Sequence, residues 1–425
     1  MTNSAKLFGR LQKQCCQTLA VFRSGYKSLL RLTAPAAALC VATLALVVPL
    51  AQSPNGSDGK AIFRFDTFGD EQLWTQTLQM QHVIKNVSPR TALSVGLKVD
   101  SEALPQAVID AIKARQVNLD DPGVTIQLLK LNAVVGVVGK VVGPNDNLAT
   151  VGITCALCHS TVDDSLAPGI GKRLDGWANR SLNVGAIIAL SPAISDKSSY
   201  TSWGPGKFDP RFKAFDGNGF IPLNSPTLPV VIPSIFGLEG VGFETFTADG
   251  AISYWNNYVG VTQMGGHGSF TDLRPPILLD ITQTPDQVTS KLPALLQYQL
   301  SVQTPKAPAG SFQSSAARRG EELFMGAAEC ATCHIPPTYT DVLSGPDVPF
   351  LHSPSEVGQE FEYASRSATG MYRTTPLRAL WQHPPYFHDG SAEDLLAVVN
   401  HYNTLRSLGL TERQKADLVE FLKKL

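Results

Sequence analysis

Two five-residue segments carry the recognisable chemistry of this chain: Cys155-Ala156-Leu157-Cys158-His159 and Cys330-Ala331-Thr332-Cys333-His334. Two thiols at this spacing can reach the two vinyl groups along one edge of a porphyrin, and an imidazole directly after the second thiol can swing beneath the iron. The pattern predicts covalent haem c attachment at both segments, with His159 and His334 as the proximal iron ligands. A thioredoxin-like redox pair or half of a zinc site would use the same cysteine spacing. The first wants a βαβ setting and the second wants a further ligand pair at matching spacing, and the sequence offers neither.

A chain of 425 residues with 43% apolar residues is long enough for two domains, each with its own core. Residues 1–51 contain Lys6, Arg10, Lys13, Arg23, Lys27 and Arg31 but no acid, and end in the largely apolar run 34–51. That reads as an export signal or a retained signal anchor, with the rest of the chain outside the cytoplasm, in the periplasm or held at the inner membrane. Without those six cations, 29 basic residues face 36 acidic ones with no basic run, which argues against a nucleic-acid partner. Three of the seven cysteines, Cys15, Cys16 and Cys40, lie in the targeting segment, so none remains for a structural disulfide.

The elements that must position the motifs follow from periodicity. Ala316, Gly320, Leu323 and Phe324 share a helical face just before Cys330. Thr411 and Gln414 form a capping box before a helix whose Leu418, Phe421, Leu422 and Leu425 share another, and the two helices are expected to pack together. Residues 393–403 read as a helix after the turn-rich loop 384–390. In the first half, 70–83 and 102–115 look helical, whereas 125–142, rich in Val and Leu with interspersed Gly, reads as a strand or hairpin leading into Cys155. The stretch 191–242, dense in Pro, Gly, Ser and Asn, predicts a long ordered loop region over the first haem. Residues 285–302 should be helical, with Thr284 as N-cap and Pro285 at the first position, before a linker at 304–315. The expected fold is mainly α: two cytochrome c-like haem domains, 52–303 and 316–425, the first enlarged by long loops and a small β-hairpin.

With these residues in place, the chain resembles the bacterial di-haem cytochrome c peroxidase and MauG superfamily. The likeness rests on the two motifs about 175 residues apart, the lead-in Ala317-Arg318-Arg319-Gly320-Glu321-Glu322-Leu323-Phe324, and the stretch from Tyr372-Arg373-Thr374-Thr375-Pro376-Leu377-Arg378 through Pro385-Tyr386-Phe387-His388-Asp389-Gly390. It is close from about residue 285 onward, loose over 152–271 and absent over 52–150. The resemblance implies that the His159 haem activates peroxide or a related oxidant while the His334 haem relays electrons into it. It also implies a calcium ion between the domains, for which Asn183 and Pro385 fall at ligand positions while His383 replaces the usual Thr. The sixth ligand of the second haem, Met or Tyr in the family, aligns with Tyr402 beside His401, and Met371 is a more distant alternative.

Peroxide activation needs a group that moves a proton between the two oxygens. The segment 261–268 supplies Gln263 and His267 among glycines that permit close approach to a porphyrin, with Glu239 and Glu244 as weaker candidates. His388 is expected to buttress the second haem, Arg373 and Arg378 to pair with haem propionates, and His82 and His352 to be structural or surface residues. Trp177, Trp203, Trp255 and Trp381 are core residues or contributors to an electron path. Three functions follow: a peroxidase-like oxidoreductase reducing hydrogen peroxide with electrons from a small redox protein or other donor; a MauG-like or oxygenase-like enzyme using high-valent iron; or an electron-transfer cytochrome with both irons six-coordinate.

Overall fold

The computed structural model describes residues 58–342 and 350–425. The targeting segment expected at 1–51 lies outside them, and among the described residues no helix is long and apolar enough to cross a membrane. The described residues fall in one compact unit.

Asp58 caps the helix Gly59–Phe65, which buries Ile62 and Phe63 completely and packs on the helix Leu292–Ser301. The helix expected over 70–83 is two pieces, a wide π-type turn at Gln72–Thr77 and a helix at Met80–Ile84, broken where Gln79 sits at φ 54°. The helix expected over 102–115 shortens to Gln106–Lys113, because Pro105 cannot lie in its interior. The strand expected over 125–142 is half wrong. Asp121 caps and Pro122 opens a helix Pro122–Lys130, and only Val137–Val142 is strand, paired antiparallel with Asn147–Ile153. That hairpin leads directly into Cys155. Gly136 holds its base against the motif, since a Cβ there would lie 2.1 Å from the Leu157 backbone nitrogen and φ is 75°.

The helix expected from residue 285 begins only at Leu292. The Asp286 carboxylate accepts the N–H groups of Val288 and Thr289 and folds those residues into a turn, so Thr284 and Pro285 do not start it. The stretch 191–242 is ordered by short pieces: the helix Lys197–Thr201, the pair Lys207–Phe208 with Val230–Val231, and the hairpin Lys213–Phe215 with Phe220–Pro222. The fold is therefore mixed rather than mainly α, with seven two-stranded sheets among the described residues. Two- to seven-residue strands satisfy the backbone of long loops but are too short to leave an alternating pattern in the sequence.

The C-terminal part follows its sequence closely. Helices Ser314–Met325 and Glu412–Lys424 cross at Gly320, where a Cβ would lie 2.0 Å from the Asp417 carbonyl oxygen. Phe324 meets Phe421 at 5.1 Å between ring centroids, Arg319 pairs with Asp417, and Thr411 and Gln414 form the reciprocal capping box. Asp394 caps the helix Leu395–Leu405 between them.

One buried ion pair fastens this part to the loop region directly, and a second does so through a backbone N–H. Arg366 pairs with Asp209 at 2.8 Å and Arg211 with Asp249 at 2.5 Å; Asp249 also accepts the Ala368 N–H. Asp209 further accepts from Thr227 and from the Leu228 N–H. Removing one partner of such a pair strands a charge away from water. Replacing Arg366 by Met should therefore cost about 3 to 5 kcal/mol of stability, measured by denaturant unfolding. A loss under about 1 kcal/mol would show that the pair does not fasten the two parts.

Candidate functional site

Both motif histidines are held in the same way. The His159 ring sets Nδ1 3.0 Å from the Pro233 carbonyl oxygen, and the His334 ring sets Nδ1 2.9 Å from that of Tyr339. A carbonyl only accepts, so in each ring Nδ1 carries the proton and Nε2 keeps its lone pair for a metal. Burial pushes the His159 imidazole down to about 4 and lowers His334 as well, so both stay neutral. Burial also raises the thiols, Cys155 and Cys158 to about 12 and Cys330 to about 11. Cys333 is lowered, chiefly by a hydrogen bond from His352.

The first motif straddles two apolar clusters. Cys155 packs against the one containing Phe68, Ala156, Val261 and Met264, and Cys158 against the one containing Trp74, Leu157, Phe212 and Ile232. Behind His159, the Ser160 hydroxyl, Arg64 and the Tyr298 phenol all donate to the Asp175 carboxylate, at 2.8, 2.6 and 2.5 Å. The segment 259–264 thus reaches the Cys155 side, and the polar groups in and after it are already hydrogen-bonded within the protein. The Gln263 amide donates to the Lys213 carbonyl, and the His267 ring donates through Nδ1 to the Gln72 amide oxygen at 3.2 Å.

The second motif opens on a cavity of about 300 Å³ whose walls include Cys330, Cys333, His334, Phe324, Val399 and Leu418. Tyr402 lines it, and burial raises the Tyr402 phenol to about 12. His401, on the same helix, faces away: its Nε2 donates to the Val357 carbonyl at 2.9 Å, and it lines a separate surface depression. Met371 is not among the cavity residues. His388 lines the cavity, is 3% exposed, and holds Glu360 at 3.0 Å and Gln359 at 3.1 Å. It is braced by side chains rather than by the backbone.

The cavity wall also carries charge. Glu244 pairs with Arg373 at 2.9 Å and approaches Arg378 to 3.6 Å, so it belongs to the second motif and not to the distal side of the first. Glu239 is exposed. Arg180 lines the same cavity, with Nε and Nη1 shielded from solvent and unpartnered; Arg373 Nε is likewise unpartnered. An apolar slot rimmed by guanidinium groups with unused donors fits a porphyrin whose propionates are anionic.

His352 is buried and hydrogen-bonded rather than on the surface. It lines the cavity beside Cys333, contacts Asp341, Thr374 and Glu356, and is raised to about 11, chiefly by Asp341. His82 is exposed, as expected. Trp177 and Trp381 meet edge to face at 5.7 Å, one from each half, while Trp203 donates to Thr227 and Trp255 to the Glu244 carbonyl. Two of the residues expected at a calcium site make protein contacts of their own. The Asn183 side-chain oxygen caps the helix Val184–Ala189, and His383, held down near 4 by burial and then by the charge of Arg180, bonds to the Arg378 carbonyl. We do not assign calcium to this point, where the charge beside His383 is a guanidinium.

Sequence reading missed Arg180, Pro233 and Tyr339. The two carbonyls belong to residues with no side-chain signal for the role. Arg180, 21 positions past His159, looks like a first-site residue until folding carries it to the second.

No protein-family model matches the chain. Over 123 residues it is 35% identical to the methylamine utilization protein MauG of Methylorubrum extorquens, covering 26% of this chain and 34% of that protein. Over 152 residues it is 29% identical to a cytochrome-c peroxidase of Denitromonas iodatirespirans, covering 26% and 40%. The chain thus spans between a third and two-fifths of the length of these curated relatives. Among solved structures it is similar to a MauG-like protein associated with microbial copper homeostasis, at 18% identity and a TM-score of 0.33 over 51% of this chain and 85% of that one. It is also similar to a hydrazine synthase of Kuenenia stuttgartiensis, at 19% identity and a TM-score of 0.30 over 46% and 72%. At those scores neither structure bears on the argument.

The geometry separates two candidate ligands on one helix. Replacing Tyr402 by Phe should change the electronic spectrum of the C-terminal haem, whereas replacing His401 by Ala should leave it as in the parent protein. The reverse pattern would move the ligand to His401.

Proposed function

We propose that the chain, which is similar to MauG and to a cytochrome-c peroxidase over part of their length, is an exported di-haem c-type cytochrome of that superfamily that reduces hydrogen peroxide. In this reading, electrons from a small redox protein or similar donor outside the cytoplasm enter at the C-terminal motif and pass to the N-terminal one. The observation that carries it is the shared presentation of His159 and His334, each with Nδ1 tied to a carbonyl and Nε2 free. A haem bound at each motif supplies the iron that exchanges electrons and holds the oxidant.

The chain's own residues divide the labour. Tyr402 is available to close the sixth position at the second motif, which suits an electron relay. Trp177 and Trp381 give a contact of two indoles between the halves. His267 is the proton-moving residue in this reading: with Nδ1–H given to Gln72, its Nε2 is the basic atom, on a turn that Gly265 allows at φ 82°.

A second reading, oxidation of an organic or protein substrate as in MauG-like enzymes, is favoured by Tyr402 standing where a Met would serve a standard peroxidase. The two separate by turnover. With a reduced c-type cytochrome as donor, the holoprotein should oxidise two donor molecules per peroxide, and replacing His267 by Ala should slow this about 100-fold or more while leaving both haem spectra intact. Donor oxidation unchanged in the His267 variant removes that residue from the reading. Peroxide-dependent oxidation of an organic substrate, with no donor turnover at all, selects the second reading.

A further inference from the structure

One cation in the wall of the second cavity, Arg180, has no ion-pair partner among the described residues. Among the described residues that line it, Glu244 serves both Arg373 and Arg378, His352 lies between Asp341 and Glu356, His388 meets Glu360, and Arg406 approaches Glu356 at 3.8 Å. Among the described residues, Arg180 has no carboxylate within ion-pair reach, and two of its guanidinium nitrogens are shielded from water with no partner. A guanidinium left this way is strongly disfavoured unless the functional molecule brings it an anion. Arg180 sits in a tightly packed loop. Its backbone runs between buried Ala178 and Leu182, and a Cβ on Gly206 would lie 2.6 Å from the Arg180 carbonyl oxygen, so the loop is packed backbone to backbone.

Three guanidinium groups and one carboxylate, those of Arg180, Arg373, Arg378 and Glu244, give this part of the wall two net positive charges. A haem c brings two propionates. Arg373 and Arg378 together keep one positive charge after Glu244 is counted, and Arg180 carries the other.

We propose that Arg180 is a positioning residue for the C-terminal haem: it takes one propionate across the junction, so that a haem bonded covalently to Cys330 and Cys333 is ion-paired to the segment that follows the N-terminal motif. The inference rests on haem attachment at the second motif but not on peroxide chemistry. The pairing fixes the haem edge against the first half of the protein and keeps a positive charge beside the iron, which favours the ferrous state.

The test is a spectroelectrochemical titration of both haems in the full-length holoprotein, with haem content checked beforehand. Replacing Arg180 by Leu should shift the C-terminal haem to a more negative potential, leave the N-terminal haem near its original value, and retain two haems per chain. Arg180→Lys should recover most of the shift, because the charge rather than the shape is restored. If Arg180→Leu does not fold, Arg180→Gln gives the same reading with a neutral side chain that keeps a hydrogen-bond donor. A C-terminal potential equal to that of the parent protein in the neutral variant overturns the proposal. A parent protein with no haem on Cys330 and Cys333 overturns the attachment reading itself, and a protein that ignores peroxide leaves the potential shift fully readable.

Discussion

Each motif histidine donates its Nδ1 proton to a backbone carbonyl, and much of the fold can be understood as what brings those two carbonyls into place. For His334 the partner, Tyr339, lies five residues away, so a local turn at the foot of a helical domain is sufficient. For His159 the partner is Pro233, 74 residues on, and the loop region must be threaded back to deliver it. The short strand pairs between 207 and 231, the buried aromatic group around Trp203 and the Asp209–Arg366 pair all fix that stretch. A bond that only sets a ring tautomer thereby accounts for much irregular chain.

The two sites differ in what surrounds the free nitrogen. The second opens on a cavity with a phenol on one wall and a guanidinium-rich rim on another. The first is enclosed between two apolar clusters, with its nearest polar network, Asp175 with Arg64, Ser160 and Tyr298, behind the motif. That network fixes Ser160, the residue after His159, to the strand bearing Asp175. Charge at one site and apolar enclosure at the other suit an electron relay and a reactive centre respectively.

Sequence alone was most legible where local rules apply. The Thr411 and Gln414 capping box and the packing of the Gly320 helix on the C-terminal helix follow from local patterns, and each appears in the structure as read. Reading failed where tertiary contacts decide. Gln79 breaks a periodic stretch through its backbone angle, and Asp121 and Pro122 start a helix inside a run rich in β-branched residues. The distant pairings were invisible for the same reason: Glu244 and Arg180 precede Cys330 by 86 and 150 residues yet line the second cavity, and adjacent His401 and Tyr402 differ only in which side of a helix they face.

The central claim is that one haem site is reactive and the other is a relay. An electron paramagnetic resonance spectrum of the purified holoprotein, poised at successive potentials and repeated after adding peroxide, tests it most directly. The account predicts a high-spin signal from the N-terminal haem that disappears on reaction with peroxide, alongside a low-spin C-terminal haem that changes only by losing electrons. Two low-spin haems that ignore peroxide at every potential would contradict it, and would make the protein an electron carrier.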